Sequence, residues 1–535
     1  MGFGPARLRR VLGNHPQVFV LSGLTAIALA VYLPYAVKAG WYYDDWAVYS
    51  ELRDRHGNWF QDLHTCTQTI PAGRSLTCIY HVTEYGLFGA HRWLYHLTAI
   101  AFLVLLAFLL VRILVRCRVP LGWAALAGAL LIVFPASDST RLWPIGAIGQ
   151  YVLALQLLGV LLALNALGRP PGARRTALHV VAAGLFVVAM ATYEVVVPLV
   201  ALSGLFYVAA YRNRPAVIRG LADLGLAIAF TGWRLVINPA APDSGFVVHR
   251  DLSGDISRVR ALLHGAWRTW HFAYLPGKLT ILIIPLLLAA VVAGLLDRQL
   301  GRRLLAWGAL LVAAIGVAAA SALVFLTAND LYVPQVSGLF NRLNLPGSIA
   351  YVMAFIALLG IGYELLQHFV PIRWVAPAAV VVVVVGVAWH QLGVSTDHKR
   401  AFQVSWQEQK KALAGYAVAV RRLPTSSRII GFDTPMWERG YIPVFAASWD
   451  LRGAVDYTTR VNPPQALPFV PGTGCGPDGV TLGPTTFTRY EVAGQPLYFV
   501  SPNRRIAVRV RTRQECGQTV ARFGYPPFWG RTVTG

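Results

Sequence analysis

The chain has 535 residues, 56% of them hydrophobic and only 13% charged, and its mean hydropathy is positive. That balance excludes an ordinary soluble domain, in which charged residues make up about a quarter. The formal charge of +23 does not point to nucleic acid, because the cations fall in short clusters between long apolar runs; membrane topology and anionic lipid head groups account for them.

In chain order, MGFGPARLRR sets Arg7, Arg9 and Arg10 before an apolar run too long for a signal-peptide core and without a small-residue cleavage site. It is read as a first transmembrane helix with the N-terminus inside. Crossing about 30 Å of hydrocarbon takes roughly 20 apolar helical residues. Eleven stretches fit: 17–37, 93–115, 120–136, 147–168, 176–192, 194–210, 217–236, 279–296, 303–326, 347–366 and 373–391. Alternate connections carry the arginines (Arg112, Arg116 and Arg118; Arg169, Arg174 and Arg175; Arg212, Arg214 and Arg219; Arg298, Arg302 and Arg303; Arg373), which puts them on the inner side. An odd number of spans then leaves the C-terminus outside. On this topology Cys66 and Cys78 lie in the first outer loop, Cys475 and Cys516 in the outer C-terminal segment, and Cys117 inside. Because disulfides persist outside the reducing cytoplasm, Cys66–Cys78 and Cys475–Cys516 are the expected pairs, with free or differently paired thiols as the alternative.

The first outer loop, 38–92, is richer in functional groups than a connector requires: WYYDDW, RDRHGNWFQDLH and AGRSLTCIYHVTEYGLFGAHRW. Its last piece is too polar to span lipid and reads as an amphipathic helix at the interface or against the bundle. Asp44 and Asp45 follow the first span directly, among Trp41, Tyr42, Tyr43 and Trp46. They are either solvated acids beside interfacial aromatic anchors or a catalytic pair. Two adjacent carboxylates near a low-dielectric surface repel one another, which favours one of them as a general base.

Further along, Asp138 and Arg141 lie in FPASDSTRLWP, and Glu194 lies in a turn between apolar helices, where a carboxylate is costly unless paired or functional. Arg141, Lys278 and Arg342 are outward cations at helix ends, suited either to anchoring in head groups or to holding a phosphate. His271 belongs to ALLHGAWRTWHFAYLPGK, which reads first as an interfacial amphipathic helix. Hydropathy drops after residue 391. The polar helix-former FQVSWQEQKKALAGYAVAVRRL leads into the short β-type runs RIIGF, PLYFV and RRIAVRVRT, so 392–535 is expected to be a small mixed α/β domain on the outer face. No P-loop, HExxH or CxxC occurs in the chain.

The order of features here is a first span, the acidic pair, an aromatic and polar loop, Gly73-Arg74, an apolar stretch ending in FG, Arg92, and a second span ending in arginine. This order resembles the GT-C glycosyltransferase superfamily, with its protein O-mannosyltransferases, aminoarabinose transferases and O-antigen glucosyltransferases. ATYEVVVP is similar to the family's acidic turn between its fifth and sixth helices. The resemblance covers about the first 210 residues by motif and the rest by architecture. It implies an α-helical polytopic bundle, residues 1–391, with a catalytic first outer loop and an added outer α/β domain.

By the same resemblance, an inverting transferase would take its sugar from a polyprenyl-phosphate donor and pass it to a glycan, lipid or protein acceptor at the outer face of the plasma membrane. Asp44 would be the base, with Asp45 orienting the acceptor or binding a divalent metal. Arg74, Arg141, Lys278 and Arg342 would contact the donor phosphate, with Glu194, Asp138 and His271 as further site candidates. No cofactor is named by the residues, and a divalent metal is compatible with them. The rival class is a transporter or flippase of lipid-linked saccharide, but the ionisable groups sit at helix ends and no internal repeat is evident, which favours the enzyme.

Overall fold

The computed structural model describes residues 16–54, 57–69, 75–237, 252–274, 281–326, 332–438, 442–459, 461, 463–469, 473–482 and 485–524. Its helices are α1 (Pro16–Ala36), α2 (Asp44–Asp54), α3 (Trp59–Thr69), α4 (Ser75–Phe88), α5 (Arg92–Arg116), α6 (Leu121–Val133), α7 (Ile148–Leu167), α8 (Ala173–Thr192), α9 (Gly204–Tyr211) and α10 (Arg214–Ile237), then α11 (Leu252–Tyr274), α12 (Ile283–Leu296), α13 (Arg298–Leu323), α14 (Leu345–Phe369), α15 (Val375–Ala419), α16 (Ser448–Thr459) and α17 (Arg513–Phe523).

The protein is a polytopic helical membrane protein. Among the described residues, nine helical segments are long and apolar enough to cross a bilayer, and α6 and α12 are shorter apolar helices. Every one of the eleven expected stretches falls on one of these. The stretch expected at 120–136 ends at Val133 because Pro135 follows: the residue before a proline is driven out of the helical region, and Phe134 is extended, with ψ 112°. At 194–210 the helix is broken into Glu194–Val196, Val197–Ala201 and α9.

The largest departure is α15. The span expected to stop at 391 continues unbroken to Ala419, 45 residues in all. At 1.5 Å per residue this is about 65–70 Å, roughly twice the hydrocarbon thickness, so its second half leaves the lipid. That half buries Phe402, Trp406, Gln409, Leu413 and Tyr416, a stripe at helical spacing. The boundary expected at 391/392 therefore lies inside one helix, which carries the chain from the bundle into the strand-containing region.

In that region β1 (Arg428–Gly431) lies between β4 (Ala466–Pro468) and β8 (Leu497–Ser501), parallel to both, with β9 (Ile506–Arg509) antiparallel on the far side of β8. Ile429 sits in register with Ala466 on one side and Tyr498 on the other. The strands read from RIIGF, PLYFV and RRIAVRVRT are β1, β8 and β9. A hairpin pairs β2 (Trp437–Glu438) with β3 (Ile442–Pro443), and β5 (Thr473–Cys475), β6 (Gly479–Leu482) and β7 (Thr485–Arg489) form a separate meander. Cys475 is bonded to Cys516, joining β5 to α17, and Cys66 is bonded to Cys78, joining α3 to α4.

Helix α4 does not cross with the bundle. It packs beside α8, where the Thr77 hydroxyl donates to the Thr192 carbonyl at 2.7 Å. It also buries Glu84, whose oxygens accept from the Tyr80 hydroxyl at 3.1 Å and the Tyr49 hydroxyl at 3.4 Å. Burial outweighs these two donors and pushes the Glu84 carboxyl up to about 8 from its ordinary 4.5. Between those values the folded chain holds a proton that the unfolded chain releases, so this stability is present below about pH 4.5 and is lost as the pH rises through about 8. The thermal midpoint of the detergent-solubilised protein should fall from pH 5 to pH 8, and Glu84→Gln should flatten the slope. An unchanged slope in the variant would assign the titration to another group.

Candidate active site

The segment Gly40–Asp45 enters the site between α1 and α2, and its path is set by close contacts with distant elements. A side chain at residue 40 would overlap the Trp406 ring of α15, so only glycine lets α15 approach here. The Tyr42 hydroxyl donates to the Phe402 carbonyl at 3.0 Å, and the Trp46 indole donates to Gln409 Oε1 at 2.7 Å. From the other side, the Trp143 indole donates to the Tyr42 carbonyl at 2.8 Å. Held in this way, Tyr43 takes a left-handed backbone conformation, φ 49°, a strained state for a non-glycine residue that persists where the surroundings over-determine it.

The two adjacent acids are placed differently. Asp45 is fully buried. Its Oδ2 accepts from the Tyr42 amide at 2.8 Å, reaching back over the first turn of α2, and its Oδ1 accepts from the Ile145 amide at 2.9 Å. Burial pushes its carboxyl well above the ordinary range, against the pull of these two amides and with added repulsion from Asp44. Asp45 thus fastens α2 to the Ile145–Ala147 turn that precedes α7, and has no open face for a substrate. Asp44 is partly exposed, and its Oδ1 accepts from the Trp449 indole N–H at 2.9 Å.

Around Asp44 lies an aromatic frame. The Tyr43 ring is 5.5 Å from Trp449 and 6.1 Å from Trp143. The Arg342 guanidinium stands 4.9 Å over Trp143 and 5.7 Å over Phe340. Its Nη1 is buried with no hydrogen-bond partner among the described residues. Burial raises the Tyr43 hydroxyl, and Asp44, Asp450, Arg342 and Tyr332 all act on it electrostatically. The Asp44 carboxylate and the Arg342 guanidinium thus both act on the Tyr43 hydroxyl, and Arg342 stands over the Trp143 ring that meets Tyr43.

The remaining candidates lie elsewhere. Arg141 is not an interfacial cation: it is 1% exposed, paired with Asp138 at 2.9 Å, and donates to the carbonyls of Leu131, Ile132 and Phe134 at 3.1, 3.0 and 2.8 Å. The break at Phe134–Pro135 folds Ser139–Leu142 back into the bundle, which is why these two charges are core groups. Asp138 also faces His398, at 3.5 Å, and the Tyr32 hydroxyl, at 2.9 Å. Glu194 forms an ion pair with Arg234 at 3.6 Å. His271 lines a separate cavity of about 450 Å³ with Arg268, Ser337, Asp397 and His398. Arg74 and Lys278 lie outside the described residues.

An apolar groove of about 260 Å³ opens between α11, α12, α13 and α14, lined by Trp267, Trp270, Leu287, Leu311 and Tyr351 among others. Among the described residues, no group of three or more His, Cys, Asp or Glu side chains converges to hold a metal ion. Sequence reasoning set Tyr43 beside the acids but did not bring Trp143 or Trp449 to them. The aromatic clusters WYYDDW and RLWP were visible signals for Tyr43 and Trp143, but nothing local marks Trp449, 405 residues from Asp44.

The sequence matches no protein-family model and no curated protein. Among solved structures, the chain is similar to ArnT from Cupriavidus metallidurans in the apo state, with a TM-score of 0.42 and 16% identity over 82% of this chain and 83% of that one. It is also similar to ArnT from the same organism bound to undecaprenyl phosphate, with a TM-score of 0.41 and 13% identity over 82% and 84%. Both likenesses concern the path of the backbone alone.

Proposed function

We propose that this protein is an inverting membrane glycosyltransferase that moves a sugar from a polyprenyl-phosphate donor to a hydroxyl group of a cell-envelope glycan, lipid or protein at the extracytoplasmic face. The observation that carries the reading is the partly exposed Asp44 carboxylate and the Arg342 guanidinium both acting on Tyr43, with Arg342 Nη1 buried and without a hydrogen-bond partner among the described residues.

In the reaction, Asp44 takes the proton of the acceptor hydroxyl as its oxygen bonds to the anomeric carbon. The bond from that carbon to the donor phosphate breaks on the opposite side, and the phosphate leaves with the electron pair, which inverts the configuration. Phosphate is a stable leaving group and needs mainly charge stabilisation, which a guanidinium supplies through paired N–H donors. The apolar groove beside α11 suits an isoprenoid chain, and the two disulfides support an extracytoplasmic position for the first loop and the α/β region.

The test is to reconstitute the purified protein in liposomes with polyprenyl-phosphate mannose, glucose and arabinose, each carrying a labelled sugar, together with an envelope extract. Release of free polyprenyl phosphate with transfer of label to the extract is the expected result. Intact donor that merely moves between leaflets would assign the protein to the transporters instead.

A further inference from the structure

We infer that Trp449, supplied by the α/β region, is a positioning residue that sets the orientation and charge state of the Asp44 carboxylate. The inference rests on the reading of Asp44 as the base. An indole N–H is a donor only, so at 2.9 Å from Asp44 Oδ1 it favours the ionised acid and holds one of its oxygens in a fixed direction.

Exposed hydrogen bonds are ordinarily loose, yet this one joins two helices whose register is fixed at several points. The Asp450 carboxylate, fully buried, accepts from the Ala446 and Ala447 amides at 2.7 and 3.1 Å and so fixes the first turn of α16, where Trp449 sits. One turn on, Gly453 lies so close to the Trp46 backbone that any side chain there would overlap its carbonyl. Another turn on, Arg53 of α2 pairs with Asp456 at 3.5 Å, donates to the Tyr457 carbonyl and stands 4.7 Å over the Tyr457 ring. These anchors on α16 match Trp46 and Arg53 on α2, so Asp44 and Trp449 meet as the next contact along the same pair.

The Trp449 ring is held at its other side by Tyr43, and although 47% exposed it is not a loose surface side chain. It walls a cavity of about 220 Å³ that also takes in Ser50, Glu51, Arg452, Gln465 and Leu467. The consequence is that the α/β region takes part in the chemistry of the first loop: turnover depends on a side chain from the far end of the chain.

The experiment uses the full-length protein in nanodiscs. Trp449→Phe keeps an aromatic ring against Tyr43 but removes the N–H. With polyprenyl-phosphate sugar as donor, turnover should fall about tenfold, donor KM should stay unchanged, and the acid limb of the rate–pH profile should move to higher pH. Unchanged turnover and an unchanged acid limb would overturn the inference. Independently of any activity, 5-fluorotryptophan at position 449 should give a ¹⁹F resonance that titrates with pH in the otherwise native protein and is flat in Asp44→Asn. A resonance that titrates equally in both would also overturn it. If no donor is consumed by any form of the protein, the glycosyltransferase reading fails, and the ¹⁹F titration still decides whether Trp449 governs Asp44.

Discussion

Asp44→Asn is expected to lower sugar transfer by about 10²- to 10⁴-fold, the usual contribution of a positioned general base, while leaving the thermal midpoint close to that of the native protein. Asp44 is partly exposed and bonded to an indole N–H that an amide oxygen also accepts, so the fold loses little. Asp45→Asn should behave in the opposite way. Its two oxygens accept from the Tyr42 and Ile145 amides in a fully buried position, and an asparagine turns one acceptor into a donor facing a donor. A buried N–H left without an acceptor costs about 1–3 kcal/mol, which should appear as a lowered thermal midpoint and reduced yield. Transfer rates and fluorescence-detected melting of the two variants, made side by side, check both expectations. A fully active Asp44→Asn protein would remove the proposed base.

The second large effect separates two arginines that look alike in sequence. Arg141→Ala should destabilise the protein by about 3–5 kcal/mol, the usual loss when one partner of a buried pair is deleted. It takes the guanidinium away from the buried Asp138 carboxylate, which keeps only the Tyr32 hydroxyl and the nearby His398, and from the carbonyls of Leu131, Ile132 and Phe134. Misfolded, poorly extracted protein is the expected result. Arg342→Ala removes a guanidinium that stacks on Trp143 and Phe340 and whose Nη1 lacks a partner among the described residues. That variant should fold, and its KM for the polyprenyl-phosphate donor should rise tenfold or more, since charge-assisted bonds to phosphate are strong. A folded, fully active Arg141→Ala protein would show that the Asp138 network is dispensable, and an unchanged donor KM in Arg342→Ala would place the phosphate elsewhere.

The two adjacent acids show where sequence reasoning stops. Neighbouring positions on a helix point about 100° apart, so a pair at the first turn of α2 must split between inner and outer directions. Which acid turns inward depends on the Ile145 amide, 100 residues away. The same holds for Trp449: nothing in its own neighbourhood, FAASWDLRGA, joins it to Asp44. Arg141 and Arg342 both read as cations at helix ends, and what makes Arg141 a core ion pair instead is Pro135 and the turn that follows it.

The sequence by itself determined the features that depend on local pattern: a polytopic helical bundle, because about 20 consecutive apolar residues have no favourable alternative to crossing lipid as a helix, and a strand-containing C-terminal region, because β-branched alternation between Pro and Gly marks strands. Tertiary structure alone decided that α15 runs on to Ala419, since a polar helix persists when distant residues cover its apolar stripe. It also decided that Asp45 is a fastener and Asp44 an accessible acid, and that the α/β region reaches the first loop. Each of these rests on burial and hydrogen bonding between segments a hundred or more residues apart, and no local pattern encodes which partner a buried polar group will meet.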